Sequence, residues 1–538
     1  MSAGRCSFAF AIVLGSLGFA YPGIAVGGAP AGGAARDAAV GRALGLLKSH
    51  GADSRASGAD RFTARDVVLD ADGTEHVRFE RSYGGLPVIG GDLVVHSKGG
   101  GWRGASLGQS QRLSVELDPR VPVDDAIVAA GAAFGADLAG VPSGELVVYA
   151  RGRGAARLAW RVRMDGGDGL GNPVQEVFIV DAQNERVLDR WSALETAKPL
   201  PAPTCLAVSS SVGQGRTLYS GAVAITAQHC GAAPFSLRDP TRGNSATVDM
   251  RGATSGDGLL FTDADNVWGR GAASDRVSAA ADAHYGMAST WDYFLQVHGR
   301  PGIDALGNSA TSRVHYGRGY ANAFWSEECF CISYGDGDGR AYGPMVNLDI
   351  TGHEISHGVT NRTAALLYSG ESGALNEATS DIFGTMVEFY ANNATDRPDY
   401  TIGEEVLISG GGKALRYMFK PSLDGASADC WSSDVGRRDV HFSSGVANHF
   451  FYLLAEGAVA PVGRSIQKAQ LVCNGNVALA GIGRDKAERI WYRALTVYFT
   501  STTDFAGARA ATQQAARDLY DDTTALAVAR AWSAVNVN

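Results

Sequence analysis

An α+β chain is predicted, with two small mixed modules first and then a larger two-part unit that is β-rich at its start and helical at its end. Three observations predict it. Strand-like alternation broken by glycine pairs fills His76 to His96 and returns after Glu145; a proline break follows at Pro199 to Pro203; longer helical segments dominate from Asp282 onward. With 538 residues the chain also exceeds what one ordinary core supports.

Arg5 followed by the apolar run Phe8 to Phe19, with small residues near Ala20 and Ala25, has the shape of a secretory signal over residues 1–25. Cys6 precedes the apolar run, unlike a lipoprotein cleavage site. Gly- and Ala-rich sequence then leads to about residue 60, with one helix around Ala35 to Leu47. Strands are expected at Glu75 to Tyr83, Leu86 to Ile89 and Asp92 to His96, joined by Gly84-Gly85 and Gly90-Gly91. An Ala-rich helix over Val123 to Phe134 and strands at Glu145 to Tyr149, Ala156 to Met164 and Glu176 to Asp181 make a second unit. The resulting boundaries are 26–110 and 111–197 for the two modules, 198–352 for the β-rich lobe and 353–538 for the helical lobe. Three prolines in five positions, Pro199, Pro201 and Pro203, form a stiff, protease-accessible linker.

A formal charge of −9 without Lys/Arg runs leaves no electrostatic footprint for nucleic acid. No later stretch reaches the roughly 20 apolar residues a membrane span needs. A secreted, soluble monomer is expected. Six cysteines remain beyond Cys6, and an even count in an exported chain suggests disulfides. Neighbourhood favours Cys205 with Cys230 and Cys430 with Cys473, leaving Cys329 and Cys331 paired across one residue or free.

The chemistry concentrates in Gly352-His353-Glu354-Ile355-Ser356-His357. Four residues apart on a helix, His353 and His357 project from one face and can converge on one metal, with Glu354 beside it as candidate base. Catalytic zinc takes three protein ligands and leaves a position open. Glu377 is the candidate third ligand, on a second helix expected from Gly373 to about Asn392, with Asp381 on the same face.

His353 to Thr360, Glu371 to Gly384, Tyr316-Gly317, Asn322 to Trp325, Tyr334 to Gly339 and Asp439 to Val446 together resemble the secreted thermolysin-like zinc metallopeptidases. His76 to His96 and Glu145 to Trp191 resemble that family's two propeptide modules. The resemblance implies a two-lobed catalytic unit with zinc in the cleft, and a propeptide that assists folding and inhibits the attached enzyme. It implies that Glu354 is the general base, that His441 and Tyr368 stabilise the oxyanion and that Asp439 orients His441. Asp381 would fix the His353 tautomer. Asn322 and Ala323 would pair with an extended substrate backbone beside Trp325. Arg416 would contact a substrate carbonyl, and Ile350, Ile402, Val406 and Leu415 would form an apolar pocket for the residue after the scissile bond.

Asp349, Glu388, Asp399 and Glu404 resemble a calcium site, and Thr401 in place of an acidic residue points to one ion rather than a pair. Asp263 and Asp265 resemble another calcium loop, with a solvated acidic turn as the alternative. Lys413 speaks against a further site beside it. The implied activity is zinc-dependent endopeptidase action on proteins or peptides, after cleavage of the precursor near residues 197 to 207. The rival is a secreted zinc-binding adhesin without turnover, against which the presence of Glu354, Tyr368 and His441 argues.

Overall fold

The computed structural model describes residues 33–152, 154–167, 173–193, 208–231, 233–409 and 411–538. The signal-like segment, the proline linker and Cys205 lie outside them. No helix among the described residues is long and apolar enough to cross a membrane.

The first part opens with α1 (Gly33–Ser49), whose Ala39, Ala43 and Leu47 recur at four-residue spacing and are buried. The strands β1 (Asp60–Leu69), β2 (Thr74–Tyr83), β3 (Leu86–Ile89), β4 (Leu93–Lys98) and β5 (Gly101–Leu107) follow, and the helix packs against Val67 of β1, Val77 and Phe79 of β2, and Leu93 and Val95 of β4. Next comes α2 (Val123–Ala133), which covers β6 (Asp137–Leu138), β7 (Ser143–Tyr149), β8 (Arg157–Gly167), β9 (Pro173–Asp181) and β10 (Val187–Ser192) through Ala126, Ala130, Met164 and Phe178. Each half thus has its own helix and core. One sheet nevertheless runs through both, because β3 and β7 pair in parallel at Val88–Val148 and Ile89–Tyr149. The alternation in sequence did not reveal β1 or β10: in β1 only Asp60 and Val67 are buried, so its two faces do not contrast.

The larger unit begins with β11 (Val208–Arg216) and β12 (Ala222–Cys230), an antiparallel pair. Short strands follow: β13 (Phe235–Ser236), β14 (Arg238–Asp239), β15 (Ser245–Asp249), β16 (Leu259–Leu260), β17 (Thr262–Asp263) and β18 (Val267–Trp268). Helix α3 (Arg276–His298) starts six residues before the expected point, where the Asp275 side chain accepts from the Val277 amide. Helical sequence is then interrupted by β19 (Thr311–Val314), β20 (Ala323–Ser326) and β21 (Cys331–Tyr334). These complete a sheet in the order β14-β15-β19-β21-β20, leaving β20 as an edge.

Two helices form the centre of the molecule, α4 (Leu348–Asn361) and α5 (Gly370–Ala391), both almost wholly buried. The second begins three residues earlier than expected. Their close crossing depends on glycine. A β-carbon on Gly384 would lie 2.5 Å from the Asp349 carbonyl oxygen, and one on Gly352 would lie 2.9 Å from Gly384 Cα. The short pair β22 (Thr401–Ile402) and β23 (Arg416–Tyr417) follows. Then come α6 (Val440–Ser443), α7 (Gly445–Glu456), α8 (Arg484–Arg493), a π-helical turn over Ala494–Tyr498, α9 (Phe505–Leu519) and α10 (Asp522–Ala534). Their core stacks Phe450 on Trp532 at 3.7 Å, and Trp491 donates to Thr379 Oγ1 of α5 at 3.2 Å. Cys430 is bonded to Cys473 and Cys329 to Cys331; Cys230 is also disulfide-bonded.

The first part is clamped on the second by charge. Asp70 receives both Nη atoms of Arg493, at 2.8 and 2.6 Å, and Asp92 accepts from the Ser501 amide at 3.0 Å. Arg151 donates to Ser372 Oγ at 3.0 Å, and Asp189 accepts from Ser369 Oγ at 2.8 Å.

Candidate active site

Helix α4 presents His353 and His357 one turn apart, and the glycine crossing brings Glu377 of α5 against them. Each imidazole is oriented from behind. His353 Nδ1 lies 2.8 Å from Asp381 Oδ1, and His357 Nδ1 lies 2.8 Å from Asn376 Oδ1. With both Nδ1–H groups donating backward, the Nε2 lone pairs are left facing one point. The two Nε2 atoms are 3.1 Å apart; Glu377 Oε2 is 3.5 Å from the first and Oε1 is 3.4 Å from the second. A tetrahedral metal with bonds of about 2.0–2.1 Å sets its ligand atoms about 3.3 Å from each other. These spacings fit a zinc ion, and the buried Glu377 Oε2 has no hydrogen-bond donor of its own.

Burial alone would raise the Glu377 carboxyl, but the surrounding His441, His353, His357 and Arg416 hold it down at about 2. Burial lowers His357. For His353 the same burial is outweighed by the Asp381 hydrogen bond and the Glu377 charge, and the ring is raised. Asp381 is fully buried and accepts four bonds: from His353, from Arg416 Nε at 2.8 Å and Nη2 at 2.6 Å, and from Asn448 Nδ2 at 2.8 Å. Arg416 is therefore committed to Asp381 while it also borders the cleft.

Glu354 lines the same cleft, which encloses 640 Å³. Across the metal position stand Tyr368 and His441. The Tyr368 hydroxyl donates to Glu377 and lies 3.2 Å from His441 Nε2. His441 Nδ1 is 2.7 Å from Asp439 Oδ1, which also accepts the His441 amide and so caps α6. The Glu377 charge raises His441 to about 9, helped by the Asp439 hydrogen bond against the cost of desolvation.

Asn322, Ala323 and Trp325 border the cleft along the exposed edge of β20. Of the four apolar candidates, Ile350 and Leu415 line the cleft; Ile402 and Val406 are wholly buried and do not. Trp191, Ser192 and Ala193, from the end of β10, also line it. So does Asn376, whose hold on His357 the sequence reading missed although it directly precedes Glu377.

A second carboxylate cluster lies beyond the N-terminal end of α4. Glu388, Asp396 and Glu404 bring one oxygen each within 4.8 Å of one another. Asp349 and Glu405 are close enough to shift them. Asp399 Oδ1 accepts from the amide and hydroxyl of Thr401, both at 2.6 Å, while its own amide donates to Glu388 Oε2 at 3.2 Å and its charge helps raise Glu404. Asp396, not among the expected ligands, joins the cluster from a turn whose sequence carries no signal beyond its acidity. Both Asp396 oxygens and Glu404 Oε2 are buried without a donor. Burial and the neighbouring Glu405 raise Asp396 and Glu404 to about 8, and burial and like charge raise Asp349 and Glu388 well above the usual range. At Asp263 and Asp265 the picture differs: Asp263 Oδ1 accepts the Asp265 and Val267 amides, as in a self-satisfied acidic turn.

Residues 212–361 match the family described as thermolysin metallopeptidase, catalytic domain, and residues 364–537 match thermolysin metallopeptidase, alpha-helical domain. Residues 60–106 match the fungalysin/thermolysin propeptide motif. A transglutaminase-activating metalloprotease of Streptomyces mobaraensis is 43% identical over 89% of this chain, which spans 61% of that relative's length. Thermolysin of Alicyclobacillus acidocaldarius subsp. acidocaldarius is 37% identical, over 89% of this chain and 86% of the relative. A solved precursor of protealysin, a metalloproteinase from Serratia proteamaculans, is 31% identical, with a TM-score of 0.43 over 55% of this chain and 87% of that one.

Proposed function

The chain belongs to the thermolysin family of metallopeptidases, and we propose that it is an exported, calcium-stabilised zinc endopeptidase made as a self-inhibited precursor. The observation that carries this reading is the convergence of His353 Nε2, His357 Nε2 and a Glu377 oxygen at tetrahedral spacing. Zinc held there supplies Lewis acidity toward the scissile carbonyl and its attacking water.

The protein's own groups do the rest. Glu354 takes a proton from the attacking water on its carboxylate and delivers it to the leaving amine. The Tyr368 hydroxyl and His441 Nε2–H donate to the oxygen on which negative charge develops, with Asp439 holding the His441 tautomer. An extended peptide adds to the free edge of β20, with backbone pairing at Asn322 and Ala323. Ile350 and Leu415 face the residue after the cleaved bond, which favours Leu, Phe, Ile or Val there.

In the precursor, Trp191 to Ala193 form part of the cleft wall; the Asp189–Ser369 contact anchors them and the Asp70–Arg493 contact holds the first part on the second. Such contacts keep peptide substrate out until the chain is cut. The cluster of Asp349, Glu388, Asp396, Glu404 and Glu405 suits a hard cation with oxygen ligands, and calcium is the ion we assign to it.

The test is hydrolysis of casein, and of a blocked peptide with an apolar residue after the cleavage point, by the secreted chain and by Glu354→Gln. Loss of turnover on casein and peptide in the variant supports the mechanism. Equal activity in the two proteins removes it, and no activity in either favours the non-catalytic zinc-binding reading. N-terminal sequencing of the secreted product checks maturation; a product that still begins near residue 26 refutes it.

A further inference from the structure

The hairpin that carries β20 has a covalently closed turn. Ser326 and Cys331 are paired across the hairpin, and Cys329 is bonded to Cys331 across the single residue Phe330. Phe330 sits in the left-handed region at φ 49°, a conformation that an L-residue with a large side chain adopts only where its surroundings impose it. A bridge between its two neighbours is such a constraint.

The constraint has a direction. The Phe330 ring meets the Trp325 indole edge-on, with centroids 5.2 Å apart. The Arg362 guanidinium lies over the Phe330 ring, 5.3 Å from its centre, and Arg362 also pairs with Glu327. Glu327 in turn accepts from Trp325 Nε1 at 3.3 Å. Arg362 is the residue that ends α4, so the turn is fastened to the helix that bears His353 and His357. Trp325 lies so close to that helix that a β-carbon on Gly358 would stand 2.7 Å from its Cζ2.

The cleft has two ends, because Ile350 and Asn361 lie at opposite ends of α4, about 16 Å apart at the helical rise. Ile350, Leu415 and Arg416 border one end; Trp325, Asn361 and Ala365 border the other, with His353, Glu354 and His357 between. If the first end receives the residue after the cleaved bond, Trp325 meets residues before it. We propose that Phe330, locked by the Cys329–Cys331 bond, is a positioning residue that sets Trp325 and thereby the enzyme's selectivity on the N-terminal side of the scissile bond. The inference rests on the peptidase reading above. It adds a specificity determinant that never touches substrate.

The experiment compares two fluorogenic peptides with identical residues after the cleaved bond. One has a single blocked residue before that bond; the other adds three, including an aromatic. Processed wild-type enzyme, Phe330→Ala with the disulfide intact, and Cys329→Ser with Cys331→Ser are assayed on both. Phe330→Ala is expected to raise KM for the long peptide about tenfold, the equivalent of about 1.4 kcal/mol, with kcat and all short-peptide constants within about twofold. The double serine variant should shift in the same direction, and Phe330→Tyr should restore the wild-type ratio. An equal loss on both peptides, or none on the long one, overturns the proposal. Should the serine variant not be secreted, Phe330→Ala decides alone. Failure of wild-type enzyme to cleave either peptide refutes the peptidase reading instead.

Discussion

Asp381→Asn probes how the site is built, since the change keeps the side chain's shape and removes one acceptor. Asp381 Oδ1 accepts from His353 Nδ1 and Arg416 Nη2, and Oδ2 accepts from Arg416 Nε and Asn448 Nδ2. An amide nitrogen at either position faces two N–H donors and can satisfy neither. Turned toward His353, it removes the group that fixes the Nε2 lone pair for metal. Turned away, it strips Arg416 of half its fork. Losing such a partner behind a metal-bound histidine weakens metal about 10–100-fold, or about 1.4–2.7 kcal/mol. An uncompensated buried arginine costs about 3–5 kcal/mol. Arg416 retains 18% side-chain exposure toward the cleft, so the lower end applies. The assay is competition for zinc with a chromophoric chelator, followed by kcat at saturating zinc and thermal unfolding. Weakened zinc binding with kcat recovered to within a few-fold in excess metal is expected, together with a lower Tm. Zinc affinity within twofold of wild type would refute the reasoning.

Tyr368→Phe removes one donor to the developing oxyanion and should lower kcat about 10²–10³-fold with little effect on KM, read from steady-state kinetics. The cation-free carboxylate cluster gives a signed pH effect. Its carboxyls are raised in the folded state, Asp396 and Glu404 to about 8, so the fold binds more protons than the unfolded chain between about pH 4 and 8. Stability after chelation should therefore fall as pH rises through that window, and calcium should abolish the slope in thermal unfolding; a flat profile without calcium counts against the site. Leu415→Ala should reduce discrimination for Leu over Ala after the cleaved bond by about 1–3 kcal/mol, measured as a ratio of kcat/KM values. Asp70→Asn removes the charge that ties the first part to Arg493, leaving Arg493 paired with Asp518 alone, and should hasten release of the propeptide, seen as earlier activity in a time course of the purified precursor.

Local periodicity made part of this legible. His353 and His357 could be placed on one helical face because four-residue spacing is a property of the helix itself, and the Ala39–Ala43–Leu47 face follows from the same rule. Glu377 could be singled out from zinc's need for a third ligand on a second helix, but Tyr368 and His441 could be named only through likeness to a family, since no short-range rule connects residues 11 and 84 positions beyond His357. Asp396 went unseen because an acidic residue in a turn looks solvated until its burial is known. Ile402 and Val406 were apolar as expected, yet they lie behind the pocket wall instead of on it.

By itself the sequence determined the helices, the paired imidazoles and the chemistry a metal would need, because backbone geometry repeats over a few residues and carries side chains with it. Tertiary structure alone decided which distant groups meet. The Gly352–Gly384 crossing sets Glu377 against the histidines, the β3–β7 pairing joins two modules into one sheet, and the order of strands leaves β20 open at the cleft. These outcomes depend on packing between segments far apart in the chain, where excluded volume and buried charge, rather than local preference, select the arrangement.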